Sequence, residues 1–283
     1  MSGKRRASRP PLGQHFLRDP LIVQRIVDAV PDDGLPLLEI GPGQGVLTRE
    51  LAATKRPLVA VEYDAGLAAV LQHQLGQRTD LVVIHEDALD VDPRAALALV
   101  GATPPYGLVG NLPYAITALI FRRFLSDPAC PPDWLVVMVQ REVAQQVVAP
   151  AGKRSLLTIS VQFYAEPELL FNVEREAFDP PPRVRSAVLR IRRRAALAVE
   201  VPSEDRFFEV VRAGFRAPRK QLHNTLAMGL WLEQGSAKAW LESCEIDPTR
   251  RAATLTLEEW ARLAWSREES ATTEAPDRRG GHK

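Results

Sequence analysis

At 283 residues the chain is long enough for about two domains of ordinary size, and for a hydrophobic core that needs neither disulfides nor metal. Its 46% hydrophobic and 25% charged residues exclude a disordered, collagenous or coiled-coil protein, and its longest apolar runs are far too short to span a bilayer. Two cysteines, Cys130 and Cys244, and five histidines in no ligand spacing point to a reducing compartment without structural zinc or any other metal, while the net charge of +1 by itself excludes no class of partner.

The first 18 residues are Arg-rich and acid-poor, as in a transit peptide, but they enclose the motif-like Gly13-Gln14-His15-Phe16-Leu17 and are read as a basic arm that stays. Pro20 to Val30 carries a helical apolar stripe behind a proline start. Five short apolar runs follow, each ending at a marker and leading into a helical stretch: Leu37–Ile40 to Gly41, Leu58–Val61 to Glu62, Leu81–Ile84 to Asp87, Gly107–Gly110 to Asn111, and Trp134–Val139 to Gln140. That repetition predicts a doubly wound α/β fold with a mostly parallel sheet, whose strands share one carboxyl edge. A helix over Leu156–Phe163 and strands near Leu169–Val173 and Ala187–Ile191 come next, the strands separated by Asp179-Pro180-Pro181-Pro182 and expected to pair antiparallel and close the sheet.

From Pro202 onward Phe207, Phe208, Val211, Phe215, Leu222, Leu226, Trp240, Leu241, Leu257, Trp260 and Leu263 recur at helical spacing, and Thr256 with Glu259 forms a capping-box pattern. The expected division is thus an arm over residues 1–18, an α/β domain over 19–200, a small all-helical domain over 201–266 and a disordered tail over 267–283.

The near-neutral total hides an asymmetry. Asp32 to Val100 holds 11 acidic and 5 basic residues, whereas Phe178 to His223 holds 11 basic and 5 acidic. Arg183, Arg185, Arg216, Arg219 and Lys220, with the basic arm, form a surface suited to a polyanion; a solvated basic face is the alternative.

The loop Glu39-Ile40-Gly41-Pro42-Gly43-Gln44-Gly45 follows a strand and opens a helix, so its backbone can approach a ligand closely. Its G-x-G-x-G spacing departs from the G-x-G-x-x-G that cradles a pyrophosphate, which favours a nucleoside ligand over a dinucleotide. Glu62 is placed to accept from both hydroxyls of a ribose, with a helix N-cap acid as the alternative, and Asp87 to accept from the amine of an adenine, with a surface acid near a helix start as the alternative. Together the markers describe a pocket for an adenosine-bearing cofactor without a phosphate chain, the description that S-adenosylmethionine meets. Asn111-Leu112-Pro113-Tyr114 supplies what an exocyclic base amine needs: acceptors from the Asn111 side chain and the Leu112 carbonyl, a proline that stiffens the loop, and an aromatic ring to stack on the base.

These motifs resemble those of the small-subunit ribosomal RNA adenine dimethyltransferases, together with Glu86-Asp87-Ala88, Gln140-Arg141-Glu142-Val143, Ala177-Phe178-Asp179-Pro180-Pro181-Pro182-Arg183-Val184 and the Arg216–Leu226 stretch. The resemblance runs from Gly13 to about Trp265. It implies that His15, Leu17, Gly41, Gly43, Glu62, Asp87 and Asn111 contact S-adenosylmethionine, and that Phe178 and Tyr114 sandwich the target adenine. It also implies a helical domain that binds RNA, and a cytoplasmic monomer that dimethylates two adjacent adenines of small-subunit rRNA within a pre-ribosomal particle. Ala115, where the family usually has Asn, and the loop after Pro150 depart from the family pattern away from the proposed chemistry. Two other functions compete. One is the related large-subunit enzyme of erythromycin resistance, against which Leu112 and the Ile246–Arg251 stretch argue. The other is a non-catalytic nucleic-acid-binding descendant, against which intact Glu62, Asp87 and Asn111–Tyr114 argue.

Overall fold

The computed structural model describes residues 15–76, 78–233 and 235–273, with side chains of the last helix described to Arg267. Lys4, Arg5, Arg6 and Arg9 of the arm, its Gly13 and Gln14, and the tail from 274 onward lie outside the described residues.

Phe16–Leu17 forms β1, and Pro20–Asp28 forms α1, whose start is fixed by Asp19 accepting from Leu21 N–H at 2.9 Å. The alternation then runs β2 (Leu37–Ile40), α2 (Val46–Ala53), β3 (Leu58–Glu62), α3 (Ala65–Leu75), β4 (Leu81–His85), α4 (Pro93–Ala98), β5 (Gly107–Asn111), α5 (Thr117–Leu125), β6 (Trp134–Gln140) and α6 (Arg141–Val147). After α7 (Leu156–Tyr164) come β7 (Ala165–Val173), a 3₁₀ turn at Arg175–Ala177, β8 (Phe178–Asp179) and β9 (Ser186–Arg193). The helices α8 (Glu204–Gly214), α9 (Leu222–Leu230), α10 (Ser236–Ser243) and α11 (Leu257–Thr273) complete the described chain.

Seven strands hydrogen-bond in the order β4-β3-β2-β5-β6-β9-β7. The first five are parallel, and β9 runs antiparallel to β6 from Trp134 opposite Arg192 to Gln140 opposite Ser186. All residues of β2 and β3 and the apolar residues of β5 and β6 are buried, which is why these strands read as predominantly apolar runs rather than as alternations, with Glu39 of β2 the exception inside a run. The chain moves outward from β2 to β4 and then returns to the other side of β2 as β5. A crevice opens at that reversal, beyond the carboxyl ends of the strands. Separately, β1 pairs with β8, Phe16 opposite Asp179 and Leu17 opposite Phe178.

The described chain packs as two compact units: residues up to Gln145 with Glu166–Arg193, and Gln146–Ala165 with Arg194 onward. The sequence places α7 in the α/β domain, but the structure places it in the helical unit. Phe163 stacks on Phe207 at 4.6 Å and meets Phe208 edge-on at 5.3 Å, while the Tyr164 hydroxyl donates to Glu204 at 2.5 Å. An apolar helix settles where its aromatic partners are. The expected tail also shortens. α11 runs through residue 273 instead of ending at 266, since Arg267-Glu268-Glu269-Ser270-Ala271 contains no helix breaker. The capping box at its start is present, Glu259 N–H donating to Thr256 Oγ1 at 3.2 Å and Thr256 N–H to Glu259 Oε2 at 2.8 Å.

One glycine governs the crevice. A Cβ on Gly110 in β5 would lie 2.4 Å from the backbone oxygen of Ile40 in β2, and a backbone oxygen in a buried ladder has nowhere to move. Gly110→Ala is expected to destabilise the protein by roughly 3 kcal/mol, the upper end of the usual overpacking penalty, through separation of the two central strands. Urea denaturation checks this: the midpoint falls with an unchanged slope, and an unaltered midpoint refutes the close approach.

Candidate functional site

The loop after β2 turns sharply into α2. At Gly43 φ is +55°, which favours glycine, and the Phe16 ring of the arm lies 3.1 Å from where a Cβ would stand, so a side chain there would also have to push that ring aside. The loop is pinned from the neighbouring strand. Glu62, the last residue of β3, accepts from Gly43 N–H through Oε2 and from Asp64 N–H through Oε1, both at 2.9 Å. Asp64 in turn caps α3 through Gly66 and Leu67 N–H. One carboxylate therefore ties the glycine loop to the start of α3, while each oxygen keeps a second lone pair for a ligand. After β4, Asp87 Oδ1 accepts from Leu89 N–H at 3.0 Å, which fixes its own turn.

At the end of β5, the Asn111 amide nitrogen donates to the His15 carbonyl at 3.4 Å, leaving Oδ1 as the acceptor of that side chain. Leu112 is buried, and its N–H donates to Met138 O at 3.0 Å, so the loop leaves β5 in register with β6. Tyr114 bonds through its hydroxyl to Ser186 Oγ at 2.7 Å, and its ring stacks near the His15 imidazole at 6.4 Å. Ser186 is fully buried on β9, which holds the tyrosine ring at a set angle. Burial pushes the Tyr114 hydroxyl above its ordinary pKa, opposed by the Ser186 bond. His15 itself is held by Nδ1 against Pro180 O at 2.7 Å.

One cavity of about 520 Å³ is lined by His15, Leu17, Gly41, Gly43, Glu62, Asp87, Asn111, Leu112, Pro113 and Tyr114. The expected cofactor contacts thus meet in one place, together with four of the five residues expected at the target base. Phe178 does not join them. It is 3% exposed and belongs to the core cluster with Leu17, Ile26 and Val173, because pairing of β8 with β1 buries it beneath the arm. In this structure Tyr114 therefore stands without that partner for a base. Among the residues expected to meet RNA, Arg183 and Arg185 are exposed on the first unit, Arg185 paired with Glu174 at 2.7 Å. Arg216, Arg219 and Lys220 are exposed on the second.

Among the lining residues outside the expected contacts, two bear on ligand binding. Phe16, within the arm motif, covers the glycine loop. Glu39, within the glycine motif, is the only charged residue of β2, is 1% exposed, and has an Oε2 with no hydrogen-bond partner. Burial pushes its carboxyl up to about 8, opposed by the Thr48 hydroxyl and reinforced by the neighbouring Glu62 carboxylate. A buried, unsatisfied acid facing a nucleoside-sized cavity fits a ligand that brings a cation, and S-adenosylmethionine has both an ammonium and a sulfonium. Among the described residues no group of three or more His, Cys, Asp and Glu is arranged to hold a metal, and no helix is long and apolar enough to cross a membrane.

A sheet of this order, with such a crevice at its reversal, places the chain among the Rossmann-like S-adenosylmethionine-dependent methyltransferases. Its particular branch follows from comparison with known proteins: residues 5–267 match the ribosomal RNA adenine dimethylase family, and the chain belongs to that family. It is 42% identical over 266 residues to ribosomal RNA small subunit methyltransferase A of Dehalococcoides mccartyi, covering 93% of this chain and 89% of that one. It is 37% identical to the protein of the same name from Enterococcus faecalis, covering 89% and 88%. The crystal structure of the 23S rRNA methyltransferase ErmE is 30% identical with a TM-score of 0.67, covering 88% and 98%. A Plasmodium falciparum dimethyladenosine transferase shares the fold at a TM-score of 0.72, covering 91% and 98% at 20% identity. The chain is an S-adenosylmethionine-dependent rRNA adenine dimethyltransferase.

Glu39 gives the cofactor-free protein a pH signature. Unfolded, its carboxyl ionises near its ordinary value of 4.5, and folded only at about 8, so the native state holds the extra proton between those limits. The stability it confers is whole below the lower value and is lost as pH rises through the upper one. Glu39→Gln, which cannot ionise, is expected to remove that slope. Thermal melts from about pH 5 to 9 check this: the melting temperature of the unsubstituted protein falls relative to the variant as pH rises, and parallel curves would place the Glu39 charge elsewhere.

Proposed function

We propose that the chain transfers methyl groups from S-adenosylmethionine to the exocyclic N6 of two adjacent adenosines in a 3′-terminal hairpin of small-subunit (16S) rRNA, giving N6-dimethyladenosine. It acts as a cytoplasmic monomer on a pre-ribosomal particle. The observation that carries the reading is the Asn111–Tyr114 loop at the crevice, where one amide N–H of Asn111 turns to the His15 carbonyl at 3.4 Å and its side-chain oxygen is left as an acceptor. The choice of small over large subunit is supported by 42% identity to a small-subunit enzyme against 30% to ErmE.

An adenine N6 lone pair is conjugated into the ring, so the amine must be held rather than merely bound. Asn111 Oδ1 and the Leu112 carbonyl accept its two hydrogens and turn the lone pair out of the ring plane. Tyr114 supplies the stacking face, with Ser186 fixing its tilt. Glu62 and Asp87 hold the nucleoside end of the cofactor, and Glu39 meets its positive charge. The bound cofactor supplies a methyl group already activated by the sulfonium. Catalysis by the protein is therefore mostly positioning, with Asn111 as the acceptor nearest the reacting nitrogen. Arg183 and Arg185 on one unit, and Arg216, Arg219 and Lys220 on the other, contribute phosphate attraction that weakens as salt rises.

Labelled S-adenosylmethionine with unmethylated small subunits, and in parallel with large ones, tests the substrate: label mapped to adjacent adenines of the small-subunit rRNA supports the reading, and label only on large subunits rejects it. Asn111→Ala is expected to lower kcat about 100-fold, the scale of a misplaced reactant, with RNA affinity nearly unchanged. Tyr114→Phe keeps the ring but leaves the buried Ser186 hydroxyl unpaired, a loss of about 1–3 kcal/mol in stability, so its rate is expected to fall between those of the unsubstituted protein and Tyr114→Ala. Single-turnover methylation and thermal melts check both. A Phe variant as inactive as Ala would assign the hydroxyl a part in the chemistry.

A further inference from the structure

The helical unit carries a residue that two physical rules disfavour at once. Trp231 follows α9 in the left-handed conformation, φ 55° and ψ 41°, where its N–H and that of Leu232, the latter at 3.0 Å, both close on Ala227 O. This is the Schellman position, which glycine occupies because a Cβ is penalised there, and a bulky aromatic is a true outlier at positive φ. The same side chain is 85% exposed, so it forgoes the burial that makes tryptophan useful in a core. Strain and exposure at one residue mark a place where something outside the fold is met.

The surroundings identify the partner. The Arg216 guanidinium carbon lies 5.9 Å from the centre of the Trp231 ring. Arg216, Arg219 and Lys220 sit in the connection between α8 and α9, all are exposed, and none forms an ion pair among the described residues. From Arg212 to His223 the chain contains four cationic residues and no acid. A flat aromatic face edged by uncompensated cations is the arrangement that holds an unpaired nucleobase by stacking while phosphates meet the charges. We propose that Trp231 is a stacking platform for an unpaired base of the rRNA substrate, with Arg216 as its cationic edge. This rests on the reading of the chain as an rRNA enzyme but names a contact in the helical unit, apart from the base being methylated.

The test uses Trp231→Gly, Trp231→Leu and Trp231→Phe in the full-length protein. Glycine relieves the strain, so its variant is expected to melt at or above the original temperature while KM for unmethylated small subunits rises roughly tenfold, with kcat and cofactor affinity unchanged. Phenylalanine keeps an aromatic face and is expected to hold KM within about threefold, whereas leucine behaves like glycine. The salt slope of binding stays the same in all three, since no phosphate contact is lost. Fluorescence anisotropy with a labelled single-stranded RNA of about 12 nucleotides gives a readout independent of methylation, in which Gly and Leu weaken binding and Phe does not. If the protein fails to methylate small subunits, the proposed substrate is wrong while this binding arm still judges the platform. An unchanged affinity for the oligonucleotide and an unchanged KM in the glycine variant overturn the platform. Leucine rescuing as well as phenylalanine also overturns it, assigning the surface to an apolar protein partner.

Discussion

The contact between β2 and β5 determines where the rest of the active unit sits. These strands flank the point at which chain order reverses, and the missing side chain at Gly110 allows the Ile40 carbonyl to come within a distance no other residue would permit. Because they lie so close, the loops that leave their carboxyl ends, one glycine-rich and the other Asn111–Tyr114, emerge side by side. In the proposed reaction the cofactor's methyl and the base's amine are presented by those two loops respectively. Their separation is thus set by the spacing of adjacent strands, the stiffest dimension the fold offers, and not by the conformation of a mobile segment.

Charge in the crevice is arranged with comparable economy. Two carboxylates stand at the ends of neighbouring strands and are treated differently by their surroundings. Glu62 is satisfied by two backbone N–H groups and remains a fixed acceptor. Glu39 is buried with an unmet oxygen, and burial pushes its carboxyl up to about 8. A buried acid left without a partner for one oxygen suits a pocket whose occupant carries positive charge.

Much of this was legible in the sequence because central parallel strands are buried on both faces. Leu37–Ile40 begins and ends where the apolar run does, and the markers after the runs fall at the edge where the sheet gathers them. Legibility failed where an outcome depended on distant packing. α7 carries no mark in its own periodicity that its aromatic partners lie on α8, more than forty residues later. Phe178 has the sequence context of a base-stacking ring, but its two-residue strand turns it inward, a fact of pairing that no local pattern encodes. Glu39 was hidden within its own motif: an acid in an apolar strand has no periodicity to betray it, and its importance rests on what it lacks. The exposure of Trp231 was equally invisible, since a tryptophan between two leucines carries no local mark of which way it faces.

The short antiparallel ladder between β1 and β8 has a consequence for how the arm is held. It brings together segments 165 residues apart in the chain, His15 against Pro180, and places Phe16 over the glycine loop, yet it consists of two residue pairs outside the main sheet. Detaching it breaks few hydrogen bonds and leaves all seven strands of the main sheet joined. What anchors the arm is less its count of backbone bonds than the burial of Leu17 and Phe178 in the core, so the cover over the glycine loop is fastened by apolar packing on one side and left to a single ring, Phe16, on the other.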